Sequence, residues 1–416
     1  MKKKKTLAIF ISIALAAIAI GFYIRGNQEF APDFHDQCFS LQYLEEKRLS
    51  GTLILMPQNT SDKITSKWHS TDSLFLDLKT GKTRLVDEEN PTGQFSISPD
   101  GKSLSYIRLN GEQRTLVILD ARHREKTLML SADMLPSGWL NNKQFLLWQK
   151  RDAPSLPQTL LLDINTMQIQ IILPDEKDAI PYDYRLFWDN LWGNYEIYSP
   201  GMKYVLRLKD LPPEDRDKDT KDESFFAKLE LSEIGSSSEI RLQGIIQAGD
   251  KIIWKQDESG FFWTHNIFTF DRFNLGTKDA KVRFITKNGN AVWELSMAKY
   301  LPEYLPQIAI DEVALSPNEQ QLAIHARKLV EGVISSEIRL LLLDMLSGDI
   351  YSTCLTPDFY SPAWSPNSRY VVLTTTAYTN PDTHMGEGRQ VVIVDVYTQQ
   401  FYEIKDGYVS FGWLDW

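Results

Sequence analysis

The stretch from Phe95 to Asp120 reads FSISPDGKSLSYIRLNGEQRTLVILD. It holds an apolar strand, a turn at Ser98-Pro99-Asp100-Gly101, a second strand (SLSYIRL), a loop, and a third strand (TLVILD) that ends on Asp120. Proline presets φ near −65° at the second turn position, and Asp or Asn followed by Gly suits the next ones, so the chain reverses tightly. The Asp that closes the third strand can accept a hydrogen bond from the backbone N–H two residues on, which starts the next turn. TLVILD is apolar on both faces, as expected of a strand packed between two neighbouring sheets.

The same pattern recurs along the chain. The turn returns as Ser199-Pro200-Gly201, Ser316-Pro317-Asn318 and Ser365-Pro366-Asn367. The third strand returns with Asp77, Asp163, Asp344 and Asp395 in the place of Asp120. Repeated units of four short strands are how a β-propeller reads in sequence. Six units begin near Phe95, Trp139, Tyr195, Ile252, Val313 and Ala363. A seventh is composite: GTLILM (51–56), SLFLDL (73–78) and KTRLV (82–86) lack a first strand, and VSFGWLDW (409–416) is a first strand with nothing after it. Joining the two ends closes the ring and leaves no free sheet edge at the seam. The expected fold is all-β, a propeller of seven four-stranded blades. Units three and four are degenerate, so six or eight blades stand as alternatives.

The SPDG turn and the Asp-closed third strand resemble the TolB-type, WD-repeat-like propeller repeat of bacterial envelope proteins. The resemblance is clearest over 95–130, 313–350 and 363–400. It implies a ring of six to eight blades used mainly for protein contacts. The chain departs from TolB itself: it opens on an apolar segment, and residues 26–50 are too few for TolB's separate N-terminal domain. The fold is carried over and the TolB role is not.

Lys2–Lys5 form a basic cluster, and Thr6–Ile24 is almost unbroken apolar sequence closed by Arg25. Nineteen helical residues reach about 28 Å, close to the hydrocarbon thickness. The expected organisation is a cytoplasmic tip and single-pass transmembrane signal anchor (1–25), a stem (26–50) and the propeller (51–416). The basic end stays inside, so the propeller lies outside the cytoplasm. A cleaved signal peptide ending at Ala17-Ile18-Ala19 is the competing reading. The anchor segment carries five of the 45 Lys and Arg and none of the 55 Asp and Glu, so the remainder holds 40 against 55, a net −15. Such a domain repels phosphate backbones, and nucleic acid is not an expected partner.

Catalytic motifs are absent. There is no G-x-S-x-G elbow of the propeller peptidases, which carry a hydrolase domain after the ring, and no H-x-x-x-H or H-E-x-x-H spacing among six histidines. Asp215, Asp217 and Asp219 alternate like half a calcium loop, but Thr220 and Phe226 stand where Gly and Glu belong. No cofactor or metal is expected. Cys38 and Cys354 are candidates for a bridge tethering stem to ring, which an oxidising compartment permits. Trp139, Trp364 and Trp413 sit at similar first-strand positions and read as inter-blade core. The loop PYDYRLFWDN (181–190) falls between two units, and Tyr182, Tyr184, Arg185 and Trp188 are the candidate binding residues. The long loop Thr374 to Arg389 should reach the same face. A non-catalytic module that binds an envelope protein is the expected function. The alternative is a glycosidase or lyase acting on a glycan with carboxylates at the ring mouth.

Overall fold

The computed structural model describes residues 33–35, 38–42, 49–58, 69–70, 72–88, 90, 92–149, 158–172, 196–209, 226–236, 238–242, 246–247, 250–271, 274–304, 308–328, 338–356, 362–377 and 388–416. The anchor and the Tyr182–Trp188 loop lie outside the described residues. Among the described residues no helix is long and apolar enough to cross a membrane.

Seven antiparallel sheets form a seven-bladed propeller. Blade 1 consists of Thr92–Ile97, Ser103–Asn110, Gln113–Asp120 and Glu125–Leu130. Blades 2 to 6 open on Met134–Asn141, Glu196–Tyr198, Ile252–Trp254, Ile308–Leu315 and Ala363–Trp364. Blade 7 is the composite read from sequence: Tyr408–Leu414 supplies the first strand to Thr52–Pro57, Leu74–Asp77 and Thr83–Leu85. The degenerate units three and four are full blades of the ring.

First strands meet around the axis. Trp139 Nε1 of blade 2 donates to the Ser96 carbonyl of blade 1 at 3.1 Å, and Trp364 Nε1 of blade 6 donates to the Ala314 carbonyl of blade 5 at 3.0 Å. The core is correspondingly divided. Seven apolar clusters among the described residues each lie between two consecutive blades. Leu53 and Leu55 face blade 6 while Ile54, between them, faces blade 1. Side chains alternate across a strand, so a strand sandwiched between two blades must be apolar at every position.

The Ser-Pro turns tie the blades together. Ser98, Ser316 and Ser365 each accept, on Oγ, the N–H five residues on at 2.9 Å, and each donates to the Asp or Asn two residues on at 2.7 Å. The turns also bond to one another. The Asp100 N–H of blade 1 reaches Asn142 Oδ1 of blade 2 (3.0 Å), and Asn141 Nδ2 reaches the Pro200 carbonyl of blade 3 (2.6 Å). Glu258 of blade 4 takes the Gly201 N–H at 2.7 Å, Glu319 of blade 5 takes the Gln256 N–H, and Ser368 of blade 6 takes the Asn318 N–H at 2.9 Å. At the seam Asp415 N–H donates to the Gly101 carbonyl at 2.9 Å. The junction of blades 6 and 7 is tied within its strands, where Ser410 N–H meets Thr374 Oγ1 at 3.0 Å. Gly412 sits at this closure with φ +144°, and a Cβ there would overlap Ile97 of blade 1.

The third-strand aspartates act as the sequence indicated. Asp77, Asp120, Asp163, Asp344 and Asp395 each accept the N–H two residues on, at 2.8–3.2 Å.

The stretch expected to be a stem touches the ring. Asp33–His35 adds a parallel fifth strand to blade 5, and Ser40–Gln42 adds one to blade 6. Between them Cys38 is disulfide-bonded to Cys354, which leaves blade 5. These additions cover the outer edges of two blades, where unpaired N–H and C=O groups would invite association.

His325 lies in the middle of blade 5, fully buried, with Nε2 unpartnered. Burial, and after it the Arg327 charge, pushes its imidazole down to about 3 from 6.5. The native chain keeps His325 neutral, whereas the unfolded chain takes up a proton below about pH 6.5. Its neutrality costs nothing above that pH and penalises the fold progressively as pH falls towards 3, by up to about 1.4 kcal/mol per unit. Denaturant midpoints measured between pH 7 and 5 should therefore fall more steeply for the native sequence than for His325→Leu; equal slopes would contradict this account.

Candidate functional site

The Ser-Pro turns gather on one face. The opposite face carries the connections that enter each first strand and leave each second strand. The chain enters blade 3 at Glu196 and leaves the second strand of blade 6 at Ala377 on that face.

On this face five successive blades repeat one pairing. A carboxylate before, at or, for Asp311, within the first strand meets a partner on the second strand. Asp87 pairs with Arg108, Asp133 with Gln149 (2.7 Å), Glu196 with Arg207 (3.0 Å), Asp250 with His265 (3.2 Å), and Asp311 with Arg327 (2.7 Å). Several have further partners. Glu196 also accepts the Tyr198 hydroxyl, Asp250 accepts Trp263 Nε1 at 3.1 Å, and Arg108 forks onto Glu125 at 2.9 and 3.0 Å. Lys251 and Glu312 bridge blades 4 and 5 at 3.0 Å.

Burial is the main electrostatic influence. It raises the Asp311 carboxyl above the usual carboxylate range, against the opposing pull of Arg327. Burial and the Glu196 charge likewise push the Tyr198 hydroxyl upward. Glu258 on the turn face differs. Burial opposes its ionisation, but the Ser199 hydroxyl and the N–H groups of Gly201 and Lys203 outweigh it and hold the carboxyl low.

Between the first strands of blades 2, 3 and 4 lies a cavity of about 360 Å³, within the range of small-molecule sites. It runs from Glu196 and Asp250 at the loop end to Pro200 and Gln256 at the turn end. The arrangement can hold a ligand against aromatic and aliphatic walls. It is poorly arranged for acid–base chemistry, because each carboxylate at its mouth already accepts from two partners. Among the described residues no cluster of three His, Cys, Asp or Glu could hold a metal ion.

Of the candidate residues read from sequence, Tyr182, Tyr184, Arg185 and Trp188 lie outside the described residues. Trp364 and Trp413 are buried between blades, and Trp139 is half-buried at the cavity. Sequence reading missed the carboxylate clasps and the cavity. One signal was present: the cavity lies at units three and four, whose repeat pattern is weakest.

No family model matches the chain, and no curated protein matches it in sequence. Solved structures match it as a fold. An acylaminoacyl peptidase is 10% identical with a TM-score of 0.52, covering 85% of this chain and 50% of the peptidase. An uncharacterised protein of Listeria monocytogenes is 11% identical with a TM-score of 0.50, covering 90% of this chain and 97% of that one. TolB from Acinetobacter baumannii is 12% identical with a TM-score of 0.40, covering 89% of this chain. The chain thus spans 66% of TolB and half of the peptidase.

Removing Arg207 leaves Glu196 buried without its cation. Arg207→Met should lower stability by about 2 kcal/mol, and Glu196→Leu added to it should recover most of that loss. Urea unfolding of the three proteins measures both values; a double variant no more stable than the single would show that the pair is not a unit.

Proposed function

We propose that this chain is a membrane-tethered, extracytoplasmic propeller that binds an envelope protein through its loop face and performs no chemistry of its own. The observation that carries this reading is the row of clasped carboxylates. Asp87, Asp133, Glu196, Asp250 and Asp311 each hold an internal partner, so they brace the loop entries instead of waiting on a substrate. The 181–190 stretch, with its Tyr, Arg and Trp, precedes Glu196, where blade 3 begins on the face so braced. The basic-then-apolar N-terminus and the Cys38–Cys354 bond both fit a location outside the cytoplasm.

A second reading has one observation in its favour: Glu196 and Asp250 border the same cavity, and glycan-cleaving enzymes work with carboxylate pairs. Against it, both carboxylates are committed to neighbouring groups. Turnover of a cell-wall polysaccharide by the purified chain would establish this reading and displace the first.

Cross-linking of the tagged full-length protein in its own cells, followed by mass spectrometry, tests the first reading. One envelope protein should be captured reproducibly, and capture should fall when Tyr182, Arg185 or Trp188 becomes Ala. Unchanged capture in all three variants would remove the loop from the site. The same cells test the anchor. The full chain should sediment with membranes, and deletion of residues 1–25 should abolish that.

A further inference from the structure

Trp254 and Trp364 occupy the same place in their blades. Each precedes the residue whose N–H closes the first turn, Lys255 to the Gly260 carbonyl and Ser365 to the Tyr370 carbonyl. The Trp364 indole N–H locks onto Ala314, two residues before Ser316 in the preceding blade. The equivalent acceptor for Trp254 is the carbonyl of Ile197, two residues before Ser199. That bond is not made. The Trp254 ring stacks on Tyr204 (6.2 Å between centroids, 17° between planes) and packs on Phe261 (5.0 Å). Its Nε1 is buried and has no partner. Both Trp254 and Ile197 border the 360 Å³ cavity, so the cavity stands where the lock between first strands is left open. A buried N–H without an acceptor costs about 1–3 kcal/mol, and a ligand oxygen would remove that cost.

The other lining groups narrow the ligand. Among the described lining residues there is no Lys, Arg or His, so these offer an anion no counter-charge. Glu196 and Asp250 are already matched by Arg207 and by Trp263 with His265, so a cation finds no bare carboxylate. Their remaining lone pairs can still accept from hydroxyls. The walls between them are apolar and aromatic, with Trp139, Leu208 and Ile253 among them. A pyranose ring answers this set. Its C–H face suits tryptophan and aliphatic walls, and each hydroxyl both accepts and donates.

We propose that the cavity between blades 2, 3 and 4 binds an uncharged saccharide, one oxygen of which accepts the Trp254 indole N–H. The cavity reaches the loop face at Glu196 and Asp250, but sugar titration and protein capture are separate readouts, so the proposal stands or falls independently of the docking reading.

The test uses the full chain in a polyoxyethylene detergent, which carries no competing sugar. Maltose, cellobiose and diacetylchitobiose are titrated calorimetrically, with digalacturonate as a charged control. At least one neutral disaccharide should bind saturably. Trp254→Phe keeps an aromatic ring and loses the N–H, and should weaken that binding about tenfold, equivalent to about 1.4 kcal/mol, while Trp364→Phe should leave it unchanged. Overturning results are no saturable binding by any of the three sugars up to about 10 mM, far weaker than a 1 mM site of about −4 kcal/mol, equal binding by Trp254→Phe, or tighter binding of digalacturonate. A ligand-free measurement guards against misfolding. Both substitutions remove the same buried volume, so the thermal midpoint of Trp364→Phe should fall by about 1–2 °C more than that of Trp254→Phe, the difference being the hydrogen bond that only Trp364 makes. An equal fall in both variants would mean that the Trp254 N–H is satisfied, and the proposal would fail.

Discussion

Six of the seven blade junctions are closed by hydrogen bonds between the first turns of neighbouring blades or, at the seam, between the C-terminal strand's end and such a turn. Three of these bonds end on the same position. Glu258, Glu319 and Ser368 are each the fourth residue of their turn, and each has φ near +57°. A left-handed conformation costs a side-chain-bearing residue about 1–2 kcal/mol. The bond back to the preceding blade offsets that cost and aims the side chain. Only blade 1 has glycine at this position, and there the Gly101 carbonyl, not a side chain, makes the link. The ring depends on this chain of turns, because blades otherwise meet through non-directional apolar contact.

Closure of the ring follows from the composite blade. The first and last parts of the propeller pair through Thr52–Pro57 and Tyr408–Leu414, so ring closure requires the two ends to be brought together across the whole propeller. Trp413 Nε1 donates to the Ser50 carbonyl at 3.1 Å, and Gly51, at φ +101°, passes too close to that indole for any Cβ. Upstream, the parallel strands Asp33–His35 and Ser40–Gln42 and the Cys38–Cys354 bond hold the N-terminal segment along blades 5 and 6. Closure therefore has two tiers, a strand pairing within blade 7 and a covalently fastened segment outside its neighbours.

The two faces have different chemistry. The turn face carries the bonds that hold blades together. The loop face carries carboxylate clasps within blades 1 to 5, of which Asp250–His265 is the most shielded. The cavity lies where the packing between first strands thins out. Among the described residues the apolar cluster between blades 2 and 3 is the smallest of the seven, and the next junction lacks its tryptophan lock.

Period-two apolar patterning, the Ser-Pro turn and the closing Asp are local signals, and local chemistry was enough to read the propeller, six blade starts of which the third and fourth were degenerate, and the composite seventh. Ser98 bonding to Asp100, or Asp163 to the N–H of Asn165, acts within a few residues. The count of seven, against six or eight, was settled only by the folded ring, because Lys255-Gln256 stands in blade 4 where Ser-Pro stands elsewhere, while its backbone makes the same turn. The cavity, the open Trp254 lock and the carboxylate clasps were likewise decided by tertiary structure. Each depends on residues from different strands or blades, and their distance is fixed by how whole sheets pack around an axis. The sequence by itself determined what each blade is; the closed ring decided which side chains face one another across the blades.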